Sequence, residues 1–592
     1  MRSKRLGFAV LLGFVTLGNT ASAQQDLFYD TVDVRVVTLE VMVTDGDGQP
    51  VRGLGKDDFQ LLVDKQPVSI SNFFAVEKGT AVVDDPAAAP EALPQPETER
   101  LNLVVFLDDV HISPMNRNQI LSNLRRYLVE EVGGDDQVML ARLSDEMRVE
   151  QGFTSDKEAL FSTLDRLESS TGRQISIDAS MRQLLSGIES TRLGNDTVQV
   201  GPVGVSVRDA ELTENTAESQ AGQVETLARQ RYQLADAALG AMRGFVDTLA
   251  GMKGRKALLY VSDGIPLNPG EGLAQAWIEK YERWIIDQQV SSLQGRLTSL
   301  VALDLDLTEE LGEFNGYASS SRVSIYPISL GTRLAREQAS AARAGTGSID
   351  GGGGASRGVA ALEQFSVESS LLQMAAETGG VAYTRSANIG DLMDQVKQDF
   401  ETFYSLGYSP TRETDGPVDV EVRVQRPDVV VRHVRSVESK DPLDRLQDLT
   451  LSALHHGIED NPLGVRLESG DQEPSEGGRV RVSLMVQIPF GNLLLLPQEA
   501  HHAGRVTLFV IIRDEETRGM SPFQHIELPL QVPNDQILQV LTQAAAYPLN
   551  LNMEPGRKRI SVGVRDHLAR TDATLTVEID VDAGNPARGS AQ

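Results

Sequence analysis

The sequence predicts an α/β protein in three folded parts: a doubly wound, Rossmann-type domain at the centre, a small N-terminal β unit before it, and a C-terminal immunoglobulin-like β-sandwich after it. Three observations carry this. Apolar runs without polar alternation, such as Leu103-Val104-Val105-Phe106-Leu107 and Ala257-Leu258-Leu259-Tyr260-Val261, read as strands buried on both faces, as in a parallel sheet. Stripes at helical spacing fall between them, so strand and helix alternate. Outside residues 101–405 the pattern returns to period two.

The chain opens with Arg2, Lys4 and Arg5, an apolar stretch from Leu6 to Leu17, and Ala21-Ser22-Ala23. This is the pattern of a signal peptide over residues 1–23, so an exported protein, periplasmic or secreted, is expected. The apolar run is shorter than the 18–20 or so residues that span a bilayer, and no later segment is apolar enough to do so. Residues 27–77 alternate in short runs (Val32–Val36, Leu39–Val43, Phe59–Val63, Val68–Ile70) separated by glycine turns, which describes the β unit. The turn Asp45-Gly46-Asp47-Gly48 resembles a calcium loop only in its first two acids, because Gln49-Pro50 replaces the next ligand and the glycine. Residues 78–100 hold Pro86, Pro90, Pro94 and Pro96 among Ala, Glu and Asp, an acidic linker.

Within residues 101–405, Ile120, Leu121, Leu124, Tyr127 and Leu128 mark a first helix, and Leu160, Leu164 and Leu167 a second. Leu234, Ala238, Ala241, Phe245 and Leu249 mark a longer one. Ile389, Leu392, Met393, Val396, Phe400 and Phe403 mark the last. Further strands are expected at 138–141, 148–149, 323–328 and 380–383. Residues 173–223 and 335–358 are read as insertions with little periodicity. Residues 406–436 form a β tail expected to pack on the α/β domain. Residues 441–592 give a linking helix (441–455) followed by the sandwich.

Composition narrows the function. With 84 Asp and Glu against 55 Lys and Arg the net charge is −29, which disfavours nucleic acid and anionic membranes. The absence of cysteine removes disulfides, thiolate metal sites and cysteine nucleophiles. A length of 592 residues allows three or four domains at roughly 150 residues each.

In open α/β sheets ligands bind where strands end, near the switch in strand order. Asp108-Asp109 and Asp263 end two of the buried strands, and with Ser113 and the Ser169-Ser170-Thr171 segment they offer oxygen ligands suited to Mg²⁺. Asp109-Val110-His111-Ile112-Ser113, Phe153-Thr154-Ser155-Asp156 and Gly254-Arg255-Lys256-Ala257-Leu258-Leu259-Tyr260-Val261-Ser262-Asp263-Gly264 together resemble a von Willebrand factor type A (VWA) domain. The flanks, residues 32–77 and Tyr404–Pro410, resemble those of bacterial proteins called VWFA-related, so the resemblance covers about residues 30–436. It implies protein–protein interaction or adhesion through a metal-ion-dependent adhesion site built from D-x-S-x-S, a distant Thr and a distant Asp. Carried over, Asp109, Ser113, Thr171 and Asp263 would be the Mg²⁺ set, with Asp108 and His111 as secondary candidates. His111 departs from the pattern, standing where the first Ser belongs, and imidazole is a poor Mg²⁺ ligand.

Enzyme signals are few. Gly354-Ala355-Ser356-Arg357-Gly358 matches G-x-S-x-G without a preceding apolar strand. The doublets His455-His456 and His501-His502 suggest metal, but no H-E-x-x-H occurs, and neighbouring residues on a strand point to opposite faces. The expectation is an exported, non-enzymatic binding protein with a protein partner and no transmembrane segment. An exported hydrolase with its site outside the α/β core, and a metal-free interaction scaffold, are the alternatives.

Overall fold

The computed structural model describes residues 37–77, 80–82, 101–130, 136–169, 174–193, 208–331, 354–385, 389–410, 417–438 and 440–582. The signal-peptide segment, the acidic linker, Thr171 and most of residues 335–358 lie outside these.

At the centre is a five-stranded sheet in the order Val323–Ile328, Lys256–Val261, Asn102–Asp108, Gln137–Leu143, Met147–Thr154. The first four strands are parallel and the last is antiparallel. The chain starts in the middle and builds outward first one way, then the other, so the order switches between Asn102–Asp108 and Lys256–Val261. Both faces are covered, which is why these strands need no polar alternation. Leu103, Val105 and Leu107 join one core with Leu121, Leu164, Leu392 and Val396 from the helices Pro114–Glu130, Lys157–Ser169 and Ile389–Glu401. Val104 and Phe106 join the other with Phe245, Leu311, Leu371 and Met374, from Arg208–Ala250, Thr308–Ser320 and Gly354–Thr378.

Three expectations change here. Within residues 173–223, nearly all the described residues are helical: Gln174–Ser190 and the first turns of Arg208–Ala250. Met181, Leu184, Leu185 and Ile188 recur at helical spacing, and Ala217, Ala221, Val224 and Ala228 do the same with small side chains. All but Ala228, which lies against Gly270, pack around Trp277, Tyr281 and Trp284 of the helix Glu271–Asp287. Alanines carry little hydrophobic signal, which hid the stripe. No strand forms at 380–383; only Tyr383 bridges Ile328. Phe403 leaves the last helical stripe, because the helix stops at Glu401 and Phe403 opens a strand.

That strand belongs to a fourth change. The tail after residue 406 does not pack on the α/β domain as a separate piece. Phe403–Tyr408 pairs with Val37–Asp45 and Asn72–Glu77, Val429–His433 pairs with Val37–Asp45, and Val418–Val424 pairs with Phe59–Val63. Two sheets result, one in the order Val429–His433, Val37–Asp45, Phe403–Tyr408, Asn72–Glu77, Thr80–Val82, the other containing Ser436–Val437, Val418–Val424, Phe59–Val63 and Gln66–Val68. They share one core of Leu39, Val41, Leu61, Leu406, Val420 and Val422 around Phe59, Phe73 and Tyr404. The N-terminal strands alone leave Val37–Asp45 without the neighbours that the C-terminal flank supplies on both its edges.

Arg255 clamps this sandwich to the α/β sheet. It is buried at the amino end of Lys256–Val261, with its guanidinium over the rings of Phe400 (4.3 Å) and Phe403 (4.8 Å). It donates to the Asp399 carbonyl (2.8 Å) and pairs with Glu40 (3.1 Å). Burial pushes the Glu40 carboxyl up, but Arg322 and Arg255 outweigh it and hold the pKa below the ordinary value. Beside it Asp399 accepts from Arg432 (2.5 and 2.7 Å) and from the Tyr326 hydroxyl (3.0 Å).

The C-terminal part consists of two antiparallel sheets. One orders Arg466–Pro474, Val480–Pro489 and Ala544–Met553. The other orders Leu496–Pro497, His501–Asp514, Gly556–Asp566 and Thr571–Val581, with Gln524–Pro533 also paired to His501–Asp514. Val482, Leu484, Val486 and Leu551 meet Leu508, Val510, Ile560 and Val562 in a common core. The helix Pro442–His456, capped by Asp441, connects this part to the rest. It comes so close to Gly251 and Gly563 that a Cβ there would lie 2.2 Å from the Asp448 carbonyl and 2.0 Å from the Thr450 side-chain Oγ1. Ser452 Oγ donates to Thr248 O (2.7 Å) and accepts from the Gly251 N–H (3.0 Å).

At the end of this helix His455 faces Arg513 (3.4 Å), His456 meets Thr248 Oγ1 (3.1 Å), and Phe153 sits edge-on to the His456 ring. Burial, helped by the nearby guanidinia of Arg513 and Arg559, pushes the His455 pKa down to about 4; burial and His455 push His456 down to about 4. Both rings are therefore neutral in the fold but protonate near 6.5 once unfolded, so the folded chain binds fewer protons between those values. Stability accordingly falls as pH drops from about 6.5 toward 4, by about 2 kcal/mol per histidine at pH 5. Urea midpoints from pH 7 to 5 should show this slope, and it should flatten in a His455→Asn/His456→Gln variant. An unchanged slope would count against the assignment.

Candidate functional site

At the carboxyl end of Asn102–Asp108, next to the switch in strand order, the chain turns through Asp108–Ser113 into the helix Pro114–Glu130. Asp108 organises the turn. Its Oδ1 accepts the N–H groups of Val110 and His111 (3.1 Å each), and its Oδ2 meets the Tyr260 hydroxyl (2.5 Å), Ser262 Oγ (3.2 Å) and His111 Nδ1 (2.9 Å). Burial pushes the Asp108 carboxyl up, but the charge and hydrogen bonds of His111 and the Tyr260 hydroxyl outweigh it, so its pKa lies below the ordinary value. The Tyr260 phenol is in turn raised well above its usual range, by burial first and then by Asp108.

Asp109 looks to the neighbouring strand. Its N–H donates to Leu143 O (2.9 Å), and its carboxylate accepts from Arg117 Nη1 at 3.2 and 3.3 Å, with Arg142 at 3.7 Å. Asp109 and Arg117 are both almost wholly enclosed, at 3% and 1% side-chain exposure. Burial raises the Asp109 pKa against the pull of the two guanidinia.

Asp263 follows the adjacent strand. Its N–H donates to His111 O (3.0 Å). Its Oδ2 accepts the Ser113 N–H (3.0 Å), and its Oδ1 accepts from Asn116 Nδ2 (2.7 Å), with Ser329 Oγ at 3.5 Å. Asn116 Nδ2 also donates to Gly331 O (2.9 Å), tying in the end of Val323–Ile328. Ser113 Oγ accepts the Asn116 N–H (3.4 Å) at the start of the helix.

The strand ends thus bring Asp108, Asp109, His111, Ser113 and Asp263 to one edge, while Thr171 lies outside the described residues. The residues present do not fit a Mg²⁺ ion there. Both Asp109 oxygens face a guanidinium, Asp263 is engaged by a backbone N–H and an amide, and the position of the first serine holds an imidazole tied to Asp108. Among the described residues no group of three or more acidic or histidine side chains is arranged to hold a metal. Asn116 and Arg117 were not read from the sequence as site residues. The signal was there: continuing the stripe of Leu128, Leu124 and Ile120 backward puts residues 116–117 on the buried face of the helix, where a cation needs an acidic partner.

The other expected signals resolve simply. Ser356 of the G-x-S-x-G match lies inside the helix Gly354–Thr378, not at a strand-to-helix elbow. Asp45 uses its Oδ1 to accept the N–H groups of Asp47 (3.0 Å) and Gln49 (2.8 Å), closing its own turn.

No protein-family profile matches the chain, and no curated protein matches it. Among solved structures, a von Willebrand factor type A protein from Catenulispora acidiphila aligns over 92% of this chain and 74% of its own, with 8% identity and a TM-score of 0.21. A structural-genomics target, SoR45, aligns over 22% of this chain and 97% of its own (14% identity, TM-score 0.15). A β-glucuronidase from Bacteroides uniformis aligns over 31% and 19% (9% identity, TM-score 0.13). These likenesses are too remote to carry an argument about the site. No described helix is long and apolar enough to cross a membrane.

Replacing Arg117 by Met leaves the Asp109 carboxylate enclosed with Arg142 as its remaining guanidinium. The unfolding free energy in urea should fall by about 3–5 kcal/mol. Adding Asp109→Asn should restore much of the loss, since the stranded charge is then gone. A single-variant loss below about 1 kcal/mol would show that the pair is not a closed structural element.

Proposed function

We propose that this is an exported, non-enzymatic interaction protein. Its VWA-like α/β domain contacts a protein partner without a metal ion, and the flanking β-sandwiches, the C-terminal one of immunoglobulin type, hold that domain in place. The observation that supports this reading is that the three carboxylates at the strand ends are each held by internal partners. Asp109 is closed by Arg117, Asp263 by Ser113 and Asn116, and Asp108 by Tyr260, Ser262 and His111. With its carboxylates held in this way the edge offers shape and apolar surface more than a free ligand for a metal ion. Met115, 61% exposed in the first turn of Pro114–Glu130, stands on that edge beside these groups.

The adhesion reading that requires Mg²⁺ would need Asp109 released from Arg117, and a hydrolase would need a nucleophile beside a base. A metal-free contact needs neither. The test is retention of partners from the organism's own exported fraction on the immobilised protein. The same proteins should remain bound in EDTA as in Mg²⁺, and Met115→Glu should reduce their retention by about tenfold or more, the cost of losing one well-buried anchor. Retention that disappears in EDTA would overturn the metal-free reading, and turnover of an ester, glycoside or peptide panel would overturn the non-enzymatic one.

A further inference from the structure

The helix Pro442–His456 lies between Arg208–Ala250 of the α/β domain and the C-terminal sheets, and the apolar cores on its two sides do not merge. The core under Arg208–Ala250 ends with Leu249 and Met252, and the other begins at Leu463. The bonds that cross from this helix and the turn after it to the end of Arg208–Ala250 are polar. Ser452 bonds Thr248 and Gly251, His456 Nε2 meets Thr248 Oγ1 (3.1 Å), and Asp460 pairs with Lys253 (2.7 Å). His455 and His456 end the helix with their ring centres 6.2 Å apart, the first turned to the C-terminal sheets and the second to the α/β domain. We propose that these two rings form an acid-sensitive latch: on protonation the helix end lets go of Arg208–Ala250, and the C-terminal sheets move away from the α/β domain while both stay folded.

The closed joint has no place for the two charges. His455 Nδ1 faces the Arg513 guanidinium (3.4 Å), and its Nε2 is buried without a hydrogen-bond partner. Arg559 stands at the same corner, with Nη1 3.4 Å from Leu454 O. The carboxylates there already serve arginines. Glu515 accepts from Arg513 (2.7 and 3.1 Å) and pairs with Arg559 (3.3 Å), while Glu578 accepts from Arg559 (2.5 Å) and Arg557. Three guanidinia thus meet two carboxylates before either imidazole gains a proton. On the other side Thr248 and Phe153, both uncharged, face His456. Among the described residues no carboxylate is bonded to either ring. A helix C-terminus favours cations, but here the Ala453 and Leu454 carbonyls are taken by the Gly457 N–H and by Arg559. Asp448, earlier in the helix, is paired with Lys440 (2.7 Å). Burial first, then Arg513 and Arg559 for His455 and the His455 ring for His456, holds both imidazoles below their ordinary range. A ring wetted by opening titrates near 6.5 or so. The closed joint therefore binds fewer protons, and acid favours opening by about 30-fold at pH 5 for each ring that opening wets. This opening is local, and it precedes the global unfolding that urea reads.

Because the chain has no cysteine, a single introduced thiol reports the joint. Ser452, buried against Thr248, becomes accessible only when the helix leaves Arg208–Ala250. In the full chain, the rate at which Ser452→Cys reacts with dithiodipyridine is compared at each pH with that of Arg283→Cys, an exposed control. The ratio should rise by about 30-fold or more from pH 7 to pH 5. Ala141→Cys and Ala573→Cys, buried in the two separate cores, should stay unreactive over the same range. Adding His455→Asn and His456→Gln should abolish the rise, and Arg513→Met should move it to lower pH by removing the like charge. A ratio that does not change with pH, or that rises equally without the histidines, would refute the latch. Core thiols that react in step with Ser452→Cys would refute it too, since the event would then be global unfolding.

Discussion

A parallel sheet with helices on both faces has nowhere to put charge except at its strand ends, and each charge placed there must find its partner inside the protein. This constraint governs both edges of the central sheet. At the amino edge Arg255, lying over Phe400 and Phe403 and paired with Glu40, joins the α/β domain to a sandwich built from both ends of the flanking sequence. At the carboxyl edge Arg117 closes on Asp109, and Asn116 bridges Asp263 to Gly331, so three strand ends are tied to the first helix. In one case a buried guanidinium serves attachment. In the other it closes on an aspartate that the resemblance would give to a metal ion.

Much of the fold was legible because local pattern and tertiary role agree. Every residue of Lys256–Val261 is buried, and the unbroken apolar run from Ala257 implies that for all but the lysine. The helix Ile389–Glu401 puts its apolar stripe on the core as its spacing requires. What was missed is non-local or chemically quiet. The Leu54 N–H donates to the Tyr404 hydroxyl across 350 positions, and no periodicity encodes such a pairing. The helical layer around Trp277 uses alanines at 217 and 221, which spacing rules weigh lightly.

The candidate site was half legible. The acidic strand ends and Ser113 stand out by their positions after apolar runs, and the structure brings them to one edge. Their chemistry was not legible, because it depends on Asn116 and Arg117. These are polar residues on the buried face of a helix, and their targets can be named only once the strand order is known. The departure at His111 was the one warning in the motif itself, and its bond to Asp108 gives that imidazole a structural task.

The proposal that this edge works without a metal ion, its Asp109 carboxylate held by Arg117, is tested most directly by a Mn²⁺ titration followed by electron paramagnetic resonance. The account predicts that the six-line signal of free Mn²⁺ grows with added metal as it does in buffer alone. Stoichiometric loss of that signal in the wild type, abolished by Asp263→Ala in a folded variant, would contradict it.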